Sequence, residues 1–232
     1  MRLTLLILLL SSYHCFALSD FEAEYQILKD GKVTGQQKTT FKVASPQTYI
    51  LKDTTKGTKG LASMLGFKRT ETTELEFTAS GLNALNHQMQ QKISFKKKRY
   101  HFKKTDNTYI GKHKGDTFQT EDINVLSSHA IPIGLSLISC QQPGQHQFTV
   151  LKSERSKVYN FQSQLQGDGL IRVDRIYSPE RKRTTSIWLD PKQNCLPIKS
   201  RHQEDGEDPI ETRLLNLTIK NNLSASTTNT SN

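Results

Sequence analysis

Several things are scarce in this 232-residue chain, and each scarcity excludes something. No apolar run is long enough to cross a bilayer. The longest, Leu3 to Leu10, falls well short of the roughly 20 residues that a spanning helix needs. Cysteine occurs three times and never as CxxC, so a cysteine-framed fold is excluded and zinc or dithiol chemistry has little support. Acidic residues are outnumbered, 22 Asp and Glu against 32 Lys and Arg, for a net charge of +10. The sequence also lacks the GxSxG nucleophile elbow, the GxxxxGK[ST] phosphate loop and the HExxH zinc helix.

The opening residues, MRLTLLILLLSSYHCFALSDFEAEY, have the layout of a secretory signal. Arg2 forms a short positive region, Leu3 to Leu10 the apolar region, and Cys15-Phe16-Ala17 the small-x-small cleavage site. Residues 1–17 are therefore expected to be removed. A retained N-terminal anchor, or lipidation at Cys15, is the alternative; His14 is a poor residue to precede a lipidated cysteine. The mature chain is expected to be periplasmic or secreted, with no transmembrane span after cleavage and no nucleic acid among its partners. Cys140 and Cys195 remain, an even count that fits one disulfide in an oxidising compartment or two reduced, buried thiols.

Period-two alternation recurs along the body. Phe21, Ala23, Tyr25 and Ile27 alternate with Glu22, Glu24 and Gln26, and Thr73, Leu75, Phe77 and Ala79 share one face. Asp30-Gly31, Gly167-Asp168-Gly169 and Asp205-Gly206 are turn signals. Residues 123–140 are too densely apolar for alternation. Pro132 suits the first turn of a short helix, which predicts a helical plug over Pro132 to Ile138. The fold class expected is all-β with one short helical plug: a large curved antiparallel sheet or half-open barrel of roughly nine to eleven strands. Residues 18–220 form one β-rich domain in this reading. The polar stretch 221–232 has almost nothing to bury and is expected to be a disordered tail.

KISFKKKRYHFKK, Lys92 to Lys104, is strongly basic with interleaved aromatics. Met89, Ile93 and Phe95 lie on odd positions but Tyr100 and Phe102 on even ones, so side-chain parity slips across Lys96 to Arg99. A tight hairpin or bulge at those four residues accounts for the slip and puts the charges in water.

The segment RTTSIWLDPKQNCLPIKSRHQEDGEDPIETRLLNL, Arg183 to Leu217, resembles the end of a bacterial exported family, domain of unknown function 3108. It is more distantly similar to the strand-turn-strand unit of lipoprotein-carrier-like periplasmic β proteins. FEAEYQILKDGKVTG, Phe21 to Gly35, resembles that family's first hairpin, and SGLNAL, Ser80 to Leu85, its central turn. Family members carry an acidic residue and Trp after the central Phe, where this chain has Lys103-Lys104 after Phe102. The resemblance implies a curved sheet with a concave apolar side, in a bacterial periplasm, and it supplies no catalytic residues.

The residues themselves agree on that point. His87, His101, His113, His129, His146 and His202 are scattered along the chain and read as solvated strand histidines. A facing pair at His101 and His113 would at most be a weak metal site. No enzyme, catalytic set, metal or cofactor is expected. The expected function is a non-enzymatic binding protein holding a lipid or other amphipathic ligand on its concave face. Lining candidates are Phe77, Phe95, Phe102, Leu135, Phe161 and Trp188, with Lys96, Lys97, Lys98 and Arg99 touching an anionic envelope component. The alternative is an envelope scaffold or assembly factor that binds another protein and has a filled core.

Overall fold

The computed structural model describes residues 19–79, 81–122 and 124–220. The expected signal segment 1–17 and the expected tail 221–232 lie outside them. The first half of the chain forms β1 (Asp20–Lys29), β2 (Lys32–Ser45), β3 (Thr48–Gly57), β4 (Lys68–Thr78), β5 (Gly81–Ile93), β6 (Lys96–Thr105), β7 (Thr108–His113) and β8 (Asp116–Glu121). A short helix α1 (Gly60–Met64) joins β3 to β4. The second half begins with β9 (Leu126–Ser127), a 3-10 turn Ser128–Ala130 and helix α2 (Ile131–Ile138). It continues through β10 (Gln145–Lys152), β11 (Arg155–Leu165), β12 (Ile171–Ile176), β13 (Arg183–Asp190), β14 (Leu196–Glu204) and β15 (Ile210–Lys220).

All fifteen strands belong to one sheet, so the all-β class with a short helix is correct. The strand number is higher than the nine to eleven expected. Turns at Pro46-Gln47 and Asp106-Asn107, and the short β7, β8 and β9, carry too few residues to show a clear period.

The topology is simple. β1 pairs with β2 on one side and with β15 on the other, both antiparallel. Two meanders then run outward from this central pair, one through β2 to β8 and the other from β14 back to β10. β9 ends the second arm, parallel to β10. The sheet curls until the two arms approach each other, and Ala84 N–H donates to Val125 C=O at 2.8 Å across the gap. That contact falls on the part of β5 that extends past its ladder with β6, which begins at Asn86. No continuous ladder closes the barrel.

Helix α2 fills the space inside. Pro132 sits in its first turn, as its fixed φ and missing N–H permit. Ile133 packs with the core of the first arm, whereas Ile131 and Leu135, one helical turn apart, pack with the second. Gly134 is the close-contact residue. A Cβ there would stand 3.0 Å from the Phe148 ring and 3.1 Å from Leu126. A disulfide between Cys140, just past α2, and Cys195, between β13 and β14, ties the plug to the wall with Cα atoms 6.1 Å apart.

The basic run is placed differently from the expectation. Ile93 pairs with Lys96, so the hairpin turn is Ser94-Phe95, with Ser94 at φ 52. Lys96, Lys97, Lys98 and Arg99 begin β6 as exposed strand residues. The parity slip had a simpler cause. Directly opposed residues of this hairpin sum to an odd number, so any two-residue loop switches odd to even across it. Charge made the four basic residues look like the turn, but the left-handed backbone falls on the small Ser94.

Candidate functional site

Inward-facing residues of β2 to β5 are expected to be apolar, and along one band they are not. Thr39 on β2 stands opposite Asp53 on β3, and Asp53 opposite Glu71 on β4. One residue pair along, Leu51, Thr73 and His87 are aligned on β3, β4 and β5. The 3-10 turn ahead of α2 lowers Ser127 and His129 onto this band from inside.

Thr73 is the hub. Its fully buried Oγ1 lies 2.8 Å from His87 Nδ1, 3.0 Å from Ser127 Oγ and 3.0 Å from His129 Nδ1. Asp53 accepts from Thr39 Oγ1 at 2.6 Å and from Gln37 Nε2 at 3.2 Å. Arg69 Nε lies 2.6 Å from Glu71 Oε1, and Glu71 Oε2 stands 3.7 Å from His87 Nε2. The other ring, His129, has a side chain only 1% exposed. Its Nε2 is 3.1 Å from Asp53 Oδ2, yet it makes no hydrogen bond. Distance alone does not make a hydrogen bond, and here the carboxylate oxygen lies out of line with the ring N–H.

Burial sets the electrostatics. It pushes the His87 pKa down to about 3, with His129 and Arg69 adding to the effect, so the ring is neutral at ordinary pH. Tyr25 donates to the Pro197 carbonyl at 2.9 Å. Burial first, and the Asp53 carboxylate second, hold its phenol well above the usual range, so it stays a donor.

This band floors a pocket of about 240 Å³. Phe21, Tyr25, Leu51, Ile133 and Ile187 form its apolar wall, while Asp53, Glu71 and His129 bring polar groups to one end. Ser200 and Thr212 close it from β14 and β15. A hydroxyl–imidazole–carboxylate chain, Thr73–His129–Asp53, has the components that activate a nucleophile. Thr73 and Ser127 do not line the pocket, however, and each is no more than 1% exposed. The chain of polar groups braces α2 against the sheet, and what it offers a guest molecule is the edge of His129 and the two carboxylates. Among the described residues, no three His, Cys, Asp or Glu side chains converge as metal ligands.

The six apolar residues proposed as lining do not share one wall. Phe102 and Leu135 are fully buried, Phe102 beside Tyr109 and Leu135 in the second-arm core. Phe161 packs edge-on to Phe148. Phe77 borders a different groove of about 470 Å³, with Leu82, Leu137, Ile138 and Phe148. Phe95 is exposed at its hairpin tip. Trp188 faces outward, because strand alternation sends its neighbours Ile187 and Leu189 inward. It lies between Arg172 and Lys199, whose charged groups are 5.7 and 4.7 Å from the ring centre.

The histidines also differ from the reading as solvated strand residues. His87 and His129 are buried in the network. His101 opposes Lys112 and His113 opposes Tyr100, which puts the two on opposite faces of the sheet and removes the facing pair. One signal in the sequence did point to His87: it shares the parity of Met89, the apolar face of that strand. Nothing comparable marks His129, which reaches the site through a turn brought in by tertiary packing.

No family model matches this chain, and no curated protein matches it. Among solved structures it is similar to a β-barrel-like protein of domain of unknown function DUF1849 from Brucella abortus. The TM-score is 0.57 at 13% sequence identity, covering 88% of this chain and 99% of that one. At this identity the likeness defines the fold alone. The chain has the β-barrel-like architecture of a protein whose function is itself unknown.

Proposed function

We propose that this chain is a non-enzymatic, exported binding protein whose interior pocket holds one end of an amphipathic molecule. The observation that carries the reading is the pocket of about 240 Å³ with an apolar wall and, at its polar end, the buried His129 Nε2, which faces Asp53 at 3.1 Å without a hydrogen bond. An apolar cavity with a few convergent polar groups is the usual form of a small-ligand site. The volume lies below the roughly 300 Å³ at which drug-sized ligands begin to fit, so the guest inserts a terminus rather than its whole length. The expected export signal and the distant similarity of Arg183 to Leu217 to lipoprotein-carrier-like proteins favour a lipid as that guest.

Native mass spectrometry of the full chain, purified without detergent and followed by organic extraction, tests the idea. A stoichiometric extra mass is expected in the wild type. Ser200→Phe, which places a ring in the pocket from the β14 side, should abolish it while the fold persists. A clean protein mass in both, with no uptake of added fatty acid, would end the reading. A second reading, a scaffold that recruits another polypeptide, is favoured by the edge at β8, whose six residues pair only with β7 among the described residues. A proline in β8 that abolishes capture of a purified partner would support it.

A further inference from the structure

One end of the first arm combines two surface features that the fold does not require. The β3–β4 connection, with α1, and the β5–β6 hairpin tip lie side by side there, joined by Ser94 N–H donating to Leu65 C=O at 2.6 Å. Residues 54–70 and 90–99 together contain nine Lys and Arg and no Asp or Glu.

Register lines four of the lysines up. Lys56 opposes Lys68, Lys68 opposes Lys92, and Lys92 opposes Lys97. Directly opposed residues share a face, so one lysine from each of β3, β4, β5 and β6 forms a row about 14 Å long at ordinary strand spacing. The face is the outer one, since the intervening Asp53 and Glu71 point into the pocket. All four lysines are exposed. None pairs with an acidic side chain among the described residues. Like charges directly opposed across strands destabilise a sheet, so packing gives no reason for this row.

The second feature is apolar. Phe95 is 98% exposed at the hairpin tip, and Met64 and Leu61 on α1 are 84% and 70% exposed. Helix α1 buries no residue of its own. It is seated on Gly57, where a Cβ would come within 2.5 Å of the Ala62 backbone, so its place at the tip is fixed by packing. A soluble polyanion would satisfy the lysines and leave these side chains in water. A bilayer surface satisfies both, offering anionic headgroups to the cations and an acyl boundary to the apolar groups.

We propose that this end of the sheet docks on an anionic lipid surface, with Phe95, Met64 and Leu61 entering the interface and the Lys56–Lys68–Lys92–Lys97 row lying against headgroup phosphates. The docking face is separate from the interior pocket, so it stands or falls independently of what the pocket holds.

Vesicle flotation decides the matter, comparing phosphatidylcholine alone with phosphatidylcholine containing one-third phosphatidylglycerol. Binding to the anionic vesicles only, weakened by salt, is expected. Replacing the four row lysines with Ser should lower affinity by on the order of 100-fold or more at low salt. It should also raise the midpoint of thermal unfolding, which loss of a fold-supporting contact would not do. Phe95→Ser should weaken binding by about 10-fold. F95W in a W188F background should shift its fluorescence to shorter wavelength on adding the anionic vesicles. No binding to those vesicles at low salt would overturn the proposal. So would binding that polyphosphate abolishes and that F95S leaves unchanged, the pattern of a soluble-polyanion site.

Discussion

The two arms of the sheet are built from the same alternating strands, yet they use their inner faces differently. In the second arm, Phe161, Ile171, Val173, Ile187 and Leu189 make an apolar wall against Ile131 and Leu135 of α2. A disulfide fastens that wall to the helix. Arg172 and Lys199 flank Trp188 on its outer face, while Arg175, opposed to Phe161, ends the inner wall with its charged group 3.4 Å from the Tyr159 ring centre and 4.5 Å from that of Tyr177. In the first arm the inner face carries the Thr73 network and the pocket, and the outer face carries the lysine row. Buried polar groups cost stability unless they are fully paired. The division therefore sets an arm with a mostly apolar inner wall against an arm whose inner face carries a buried polar network.

The disulfide offers the largest effect with which to break this comparison. It closes a loop of 55 residues, and C140S/C195S should lose about 4 kcal/mol in denaturant unfolding. Hydrogen exchange should accelerate in β10 to β14 well before β2 to β5. Equal acceleration in both arms would show one cooperative unit with no division of roles.

The first arm has its own weakness, in acid. His87 is neutral in the folded state with a pKa near 3, against an ordinary value of 6.5. Between those values the unfolded chain binds a proton that the folded chain refuses. Stability from this group is thus complete above about pH 6.5 and falls by up to about 1.4 kcal/mol per pH unit below it, until pH 3. The groups facing the ring are Glu71, Arg69, His129 and Thr73, with Tyr100 and Phe102 against it from β6. His87→Phe should flatten the slope between pH 6.5 and 5, where most carboxylates have yet to titrate. Identical slopes in the two proteins would remove His87 from the account.

The smallest effect sharpens the contrast on the outside. Trp188→Ala removes a half-buried outer ring flanked by two cations and should cost about 1 kcal/mol. A loss several times larger would mean that the outer face of the second arm supports the fold as much as its interior does.

Local pattern exposed much of this architecture. Asp30-Gly31 is a hairpin turn with both residues at positive φ, as a two-residue loop of that type requires. The period-two faces at Phe21 to Tyr25 and at Thr73 and Leu75 point inward, and Pro132 begins the plug. The site was less legible because its members are polar residues on apolar parity. Thr73 and His87 are inward by position, but nothing local says that Ser127 and His129 descend to meet them. That contact depends on the curl of a whole sheet. Trp188 shows the opposite failure: a large aromatic residue suggests burial, and alternation overrules it.

The pairing of β1 with β15 has a consequence for how the molecule assembles. Asp20 meets Lys220, so the strand made first waits for the strand made last, and the middle of the sheet is the final seam to zip. Each arm can form its own hairpins as it emerges, and α2 can reach the first arm, but the β1–β15 ladder cannot form until β15 has been made. A chain threaded N-terminus first through a narrow pore would reach the far side before its central ladder could form.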